Sequence, residues 1–331
     1  MATLLRFGPE DLLRCRFALS PLWETAAAAR TLIQPQRQVH HLPWLRRVQA
    51  QPELAHLDLA PLHALQPRTG YTPDFLSPPP PGPLTDIANE LERVRATPLD
   101  QVARELDRCL RPGDGPPAAL AVARRLADDP AAALERLTGL LGRCWSVLLE
   151  PHWPRLRDLL DADIVFRARH LAEGGLERLF ADLHSRVRWR DGTLHVSTQA
   201  SERRDLDGEG LVLMPSAFNW PSVSVMLDPP WQPTLIYPAR GVAALWQSPA
   251  ATPPVALARL IGRTRAKLLL ALAEPASTTA LARRYGLSPG TVSEHLGALR
   301  DAGLVSAARA RHQVLYERTP LGIALAAAHA G

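Results

Sequence analysis

Leu287-Ser288-Pro289-Gly290-Thr291-Val292-Ser293-Glu294-His295-Leu296-Gly297-Ala298-Leu299-Arg300-Asp301-Ala302-Gly303-Leu304-Val305 is the stretch that decides how this chain is read. Ser288 offers a side-chain acceptor to the free amides that open a helix, and Pro289 suits the first helical position. Val292, Leu296 and Leu299 recur at steps of four and three, which makes one narrow apolar face. Gly303 predicts the stop, and Leu304-Val305 beyond it has strand character. Off the stripe, Gly290, Thr291, Ser293, Glu294 and Gly297 are small or polar, so that face can be approached closely. The spacing predicts a short helix presented to another molecule.

The residues just upstream suggest what that molecule is. Ser277-Thr278-Thr279-Ala280-Leu281-Ala282-Arg283-Arg284-Tyr285-Gly286 reads as a capped helix ended by glycine, with Leu287 leading into the next cap. Two short helices joined by a tight turn form a helix-turn-helix, whose second helix enters a DNA major groove. Ser306 to Glu317 then reads as strand, basic tip and strand, a hairpin wing carrying Arg309 and Arg311 for phosphate contact.

In its residues the stretch resembles the winged helix-turn-helix of ArsR-type bacterial repressors. Their recognition helix runs Ser-x-x-x-Val-Ser-x-His-Leu-x-x-Leu-Arg-x-Ala-Gly-Leu-Val. Here that pattern is met by Ser288, Val292-Ser293, His295-Leu296, Leu299-Arg300 and Ala302 to Val305. The resemblance covers roughly the last quarter of the chain, and the combination of residues is what makes it specific. It implies homodimer pairing through the flanking helices, here Val255–Ala273 and Pro320–Ala328. It also implies likeness to actinobacterial regulators that append such a domain to a long N-terminal domain of unknown function. The family's metal-sensing ligands are not carried over: no cysteine follows Cys144, and no ligand set precedes the turn. No metal and no cofactor are expected.

At 331 residues the chain is too long for one winged helix. The expected fold class is α+β, with a helical N-terminal block and a small antiparallel sheet, then the C-terminal winged helix-turn-helix. Residues 1–248 are read as an N-terminal domain for an effector or for dimerisation, 249–254 as a Pro-bearing linker, and 255–331 as the DNA-binding domain. No apolar run approaches the ~20 residues of a membrane span, and Met1 to Glu10 lacks a secretion-signal pattern. Cys15, Cys109 and Cys144 are odd in number and widely spaced, which fits a reducing compartment. A cytoplasmic protein without membrane contact is expected. From Val255 onward ten Lys and Arg stand against four Asp and Glu, while the rest of the chain carries 28 against 29. The positive charge therefore sits with the helix-turn-helix, as a nucleic-acid footprint requires.

Elsewhere, Phe7 to Ile33 is a long helical candidate, with Pro21 expected to kink or split it. Glu53 to Leu65 suggests another helix. Leu84 to Cys109 suggests two, broken at Pro98, with Ala118–Leu126, Ala131–Leu149 and Trp153–Phe180 further along. The run Pro78 to Pro83 favours extended polyproline II and reads as a surface connector. Val187 to Val196 alternates about Asp191-Gly192, a hairpin signal. Leu211–Met214, Val223–Leu227 and Thr234–Tyr237 are further strand candidates, and Val255 to Ala273 is predicted as one amphipathic helix.

Thr291, Ser293 and Glu294 are the expected base readers: Thr can meet a thymine methyl, and Glu can accept from cytosine N4. Ser288, Gly290, His295, Arg283, Arg284, Arg309, Arg311 and His312 are expected at the DNA backbone. His295 also borders the apolar stripe, where a structural role competes, and Arg300 reads as an ion-pair former. All eight tryptophans precede Val255 and read either as core or as the lining of an effector pocket. Asp158, Asp161 and Asp163 read as a solvated helix edge, and the scattered histidines as surface or satisfied core residues. No nucleophile elbow, zinc-protease motif, phosphate loop or dinucleotide fingerprint is present. The expected function is a transcription regulator, most simply a repressor, that binds double-stranded operator DNA as a homodimer with a small-molecule effector. An enzyme in the N-terminal domain, regulated by the winged helix, and a winged helix that binds protein are the competing readings.

Overall fold

The computed structural model describes residues 2–33, 39–67, 71–110, 116–198, 201–246, 253–273, 275–310 and 313–327. The sequence features at 111–115 and 249–252 lie outside these residues, as does Ala328 at the end of the expected last helix. Two compact units are present. The first comprises Met1–Pro154 with His170–Ala239, and the second comprises Arg155–Arg169 with Arg240–Gly331. The class is α+β.

The first unit begins with β1 (Ala2–Arg6), a short helix α1 (Asp11–Arg14) and β2 (Arg16–Phe17), and only then α2 (Pro21–Ile33). The long helix expected from Phe7 is thus corrected to one that starts at Pro21. The backbone before it pairs elsewhere: the Arg16 and Ala18 amides donate to Leu211 and Leu213 carbonyls, each at 3.1 Å. Asp11 is fully buried there, and its carboxylate accepts from Gly8 and Gly210 amides at 2.7 and 2.9 Å. Ala26 to Ala29 on α2 are all buried, so this helix runs through the core rather than along its surface.

The helices that follow are α3 (Leu42–Gln49), α4 (Ala60–Leu65), α5 (Ile87–Arg95), α6 (Leu99–Arg108), α7 (Pro117–Ala127) and α8 (Pro130–Cys144), of which α4, α5 and α8 pack on α2. The helix expected over Glu53–Leu65 is instead a 3-10 turn at Pro52–His56 followed by α4. A π turn at Trp145–Leu149 extends α8, and α9 (Trp153–Ala181) follows, with non-helical backbone at Gly174 and Gly175. The proline run is also corrected: Pro78 to Pro80 are buried, and their carbonyls are used. Arg16 donates to the Pro80 oxygen at 2.5 Å, and Arg93 donates to that of Pro79.

Two four-stranded sheets replace the one small antiparallel sheet that was expected. The Asp191-Gly192 hairpin joins β3 (Val187–Arg190) to β4 (Thr193–Ser197), and both turn residues have positive φ, as a type I′ turn requires. β1 lies beside β4 in antiparallel fashion and beside β5 (Glu202–Asp205) in parallel. In the second sheet β2, β6 (Val212–Ser216) and β8 (Thr234–Pro238) run parallel, and β7 (Ser224–Met226) closes the far edge antiparallel. β6 is buried at every position, which fits a parallel strand covered on both faces.

Of the tryptophans, Trp44, Trp145 and Trp246 are buried, and Trp44 meets Phe218 edge-on at 4.9 Å. His41 is a satisfied core histidine: it is fully buried, stacks on Phe218 at 4.2 Å and donates from Nε2 to the Ala217 carbonyl. Two buried glutamates tie α2 to its surroundings. Glu24 accepts from the Ala217 amide at 3.0 Å, and Glu90 of α5 accepts from the Leu22 amide at 2.7 Å. Burial pushes Glu24 up to about 7 and Glu90 up to about 8, outweighing the hydrogen bonds that favour the carboxylate.

The folded glutamates therefore hold protons that the unfolded ones release near 4.5. Their contribution makes stability fall as pH rises through this interval up to about 8. Burial of His41, pushed down to about 4, acts oppositely but only below its ordinary 6.5. Lowering the pH from about 8.5 to about 6.5 should raise the melting temperature of the protein, with a gain on the order of 1 kcal/mol. Glu90→Gln should flatten that dependence; an undiminished slope in the variant would assign it elsewhere.

Candidate nucleic-acid interface

The second unit builds its candidate site on a short apolar core. In place of the single helix expected over Val255–Ala273 there are two, α10 (Val255–Ile261) and α11 (Arg263–Ala271). Gly262 separates them, with a φ of 88° that favours glycine. β9 (Ala276–Ser277) leads into α12 (Thr278–Tyr285), whose first turn is capped by the Ser277 hydroxyl accepting from the Ala280 amide at 3.1 Å. Gly286 ends α12 in the left-handed conformation, and the Leu287 amide returns to the Ala282 carbonyl at 3.0 Å.

The next helix, α13 (Pro289–Asp301), opens as its sequence requires. Ser288 Oγ accepts from the Thr291 amide at 3.1 Å and shares a 2.8 Å hydrogen bond with Thr291 Oγ1. Val292, Leu296 and Leu299 are buried and pack with Leu268, Leu269 and Leu281. The same turns leave Ser288, Gly290, Ser293 and Glu294 exposed, with Thr291 and His295 half-buried. A Cβ added at Gly297 would meet no atom within 4 Å, so the helix backbone is open to a close neighbour there.

The wing follows as β10 (Val305–Ala310) paired antiparallel with β11 (Gln313–Arg318), and β11 also pairs with β9. Val305 and Tyr316 root the hairpin in the core, while Arg309 stands exposed toward its far end. The tip residues Arg311 and His312 lie outside the described residues. α14 (Pro320–Ala327) completes the unit.

The expected contact residues thus divide by environment. Ser288, Gly290, Thr291, Ser293, Glu294 and His295 come together on the first two turns of α13, and Arg309 lies on the wing. Ser288 and Thr291 spend part of their hydroxyl capacity on the cap, and the Thr291 methyl takes no part in it. Arg283 is not a bare cation: its guanidinium pairs with Asp158 at 3.2 Å. Arg284 is half-buried, with Nε shut off from solvent and without a hydrogen-bond partner. Arg300 pairs with its exposed neighbour Asp301 at 3.7 Å, a contact that contributes little.

Two contacts leave no signal in the sequence. Arg318 donates from Nε to the Leu269 carbonyl at 2.7 Å and from a terminal nitrogen to that of Leu270 at 2.5 Å. It thereby ties the wing to the carbonyl end of α11, where a cation is favoured. Arg169 pairs with Glu317 of the wing at 2.8 Å. Of the aspartates expected on a solvated edge, Asp163 is held inside, 2% exposed and accepting from the Arg240 amide at 3.1 Å, while Asp158 and Asp161 are half-buried and pair with Arg283 and Arg157. Burial holds Asp158 up at about 6 in spite of Arg283. Among the described residues, no three His, Cys, Asp or Glu side chains come together as a metal site.

Residues 260–306, from the end of α10 into β10, match the profile of a helix-turn-helix domain. Residues 97–243 match that of a family of unknown function (DUF5937). No curated protein and no solved structure matches the chain. The chain therefore carries a helix-turn-helix domain, the architecture of DNA-binding regulators, behind a DUF5937 segment. Among the described residues no helix is long and apolar enough to cross a membrane.

Ser288→Ala should cost about 1 kcal/mol of helix stability through the lost cap. Hydrogen exchange checks this: the amides of Thr291 and Val292 should exchange roughly fivefold faster, which is what about 1 kcal/mol amounts to. Unchanged protection would remove the cap from the account of α13.

Proposed function

We propose that the protein is a sequence-specific transcription regulator, acting as a repressor, that binds double-stranded operator DNA through α13 and the wing. One observation carries the reading: the apolar side of α13 is fully used in the core, and its opposite side is a row of small and polar residues in the open. Such a surface has too little apolar area to hold a protein partner by burial, whereas base edges and phosphates need only donors, acceptors and close approach. Thr291, Ser293 and Glu294 read bases. Ser288, Gly290, His295 and Arg309 meet the backbone, and Arg283 joins them when it leaves Asp158; Arg284, expected there too, is half-buried with Nε closed to solvent and is left out of the contact set. Arg311 and His312 extend the same role to the wing tip. The ArsR-type pattern of Ser288 to Val305 supports a homodimer, so that two recognition helices reach successive major grooves. We read the N-terminal residues as a binding and dimerisation module rather than an enzyme, and the protein as cytoplasmic.

Fluorescence anisotropy on operator and random duplexes, across a salt series, tests this. Ser293→Ala and Thr291→Ala should reduce discrimination between the two by about 1–3 kcal/mol. Arg309→Ala should weaken both duplexes alike and make the log–log salt slope shallower by about 0.9, one phosphate contact. Affinity that ignores salt, or equal losses on both duplexes for the first pair, would reject the assignment.

A further inference from the structure

The second unit holds a half-open cavity of about 440 Å³, separate from the exposed face of α13. Its walls come from the 155–169 part of α9, the segment after Arg240, and helices α11 and α12. Leu159, Ala162, Leu245, Ala271 and Leu281 make most of that wall hydrocarbon, and no tryptophan lines it. Sites for small organic molecules span roughly 300–1,000 Å³ and combine such walls with a few placed polar groups.

Among the described residues that line it, four are arginines and two are aspartates. Both aspartates are already engaged, Asp163 with the Arg240 amide and with Arg167 at 3.9 Å, and Asp158 with Arg283. Arg240 lays its guanidinium over the Phe166 ring at 3.5 Å. Arg284 also lines the cavity; its guanidinium has only a distant ring contact, 5.8 Å from Tyr285, and pairs with no carboxylate among the described residues. A carboxylate meeting this guanidinium would gain a charge-assisted bond that no described protein group supplies.

We propose that this cavity binds a small apolar monocarboxylate, with its hydrocarbon part against Leu159, Leu245 and Leu281 and its carboxylate on Arg284. A single negative charge fits better than a phosphate dianion, because a largely hydrocarbon wall would leave the second charge desolvated and unpaired. Binding itself stands apart from the DNA reading; its consequence for DNA rests on that reading. Arg283 and Arg284 end α12, the helix on which α13 packs, so an occupant touches the support of the recognition helix.

Calorimetric titration of the full-length protein, with no DNA present, tests the site. The probes are benzoate, phenylacetate, 3-phenylpropionate and hexanoate, each paired with its amide. At least one acid should bind at least about tenfold more tightly than its amide, a difference of about 1.4 kcal/mol. Arg284→Gln should abolish that preference while leaving the unliganded melting temperature within about 2 °C, since it removes an unbonded donor. Ala162→Leu, which fills the cavity, should weaken acid and amide together by about tenfold. The proposal is overturned if none of the four acids binds, if acid and amide bind equally, or if either variant binds as the parent does. Any of these results leaves the DNA reading standing, and loss of DNA binding with carboxylate binding intact leaves the cavity standing.

Discussion

Burial of Val292, Leu296 and Leu299 against Leu268, Leu269 and Leu281 sets the rotation of α13, and the surface of the winged unit depends on it. Each such side chain contributes about 1.5–3 kcal/mol on leaving water, so turning the helix to hide another face would forfeit several kcal/mol. Once that rotation is set, the exposed face has no freedom: Gly290, Ser293 and Glu294 must point outward. The Ser288 cap fixes where the helix begins, and Gly303, with a φ of 69°, fixes where the chain turns into the wing. Recognition chemistry is thus a by-product of core packing.

Charge in the winged unit is less available than its composition suggests. Arg318 is committed to the carbonyls of Leu269 and Leu270, and Arg283 to Asp158. Glu317, a wing residue that would repel phosphate, is itself neutralised by Arg169. The footprint that remains is narrower than a count of arginines implies, and it is concentrated where the backbone is anchored. Such internal pairing also links the DNA-facing helices to the 155–169 segment of α9, which lies far upstream in sequence but within the same compact unit.

Local chemistry was legible in the sequence wherever one residue decides one backbone angle. Ser277 and Ser288 as caps, Gly286 as a helix end and Asp191-Gly192 as a hairpin turn all stand where their side chains predict. The apolar stripe of α13 was legible for the same reason. What could not be read was pairing between distant segments. β2 lies inside the stretch that reads as a helix, and β1 carries no local strand signal; strands nearly two hundred residues later supply their partners. The proline run reads as a connector because no local pattern reveals that Arg16 and Arg93 bind its carbonyls. Of the candidate site, the helix face was readable residue by residue, but Asp158 and Arg318 were not. An ion pair across 125 positions leaves no trace in spacing.

Selection of sheared genomic fragments on the full-length protein, followed by hydroxyl-radical footprinting of whatever is retained, tests the central claim most directly. The account predicts a small set of fragments, each protected over two patches about one helical turn apart, with Glu294→Lys changing which fragments are retained. Retention of no fragment at low salt, or of all fragments without a footprint, would contradict it.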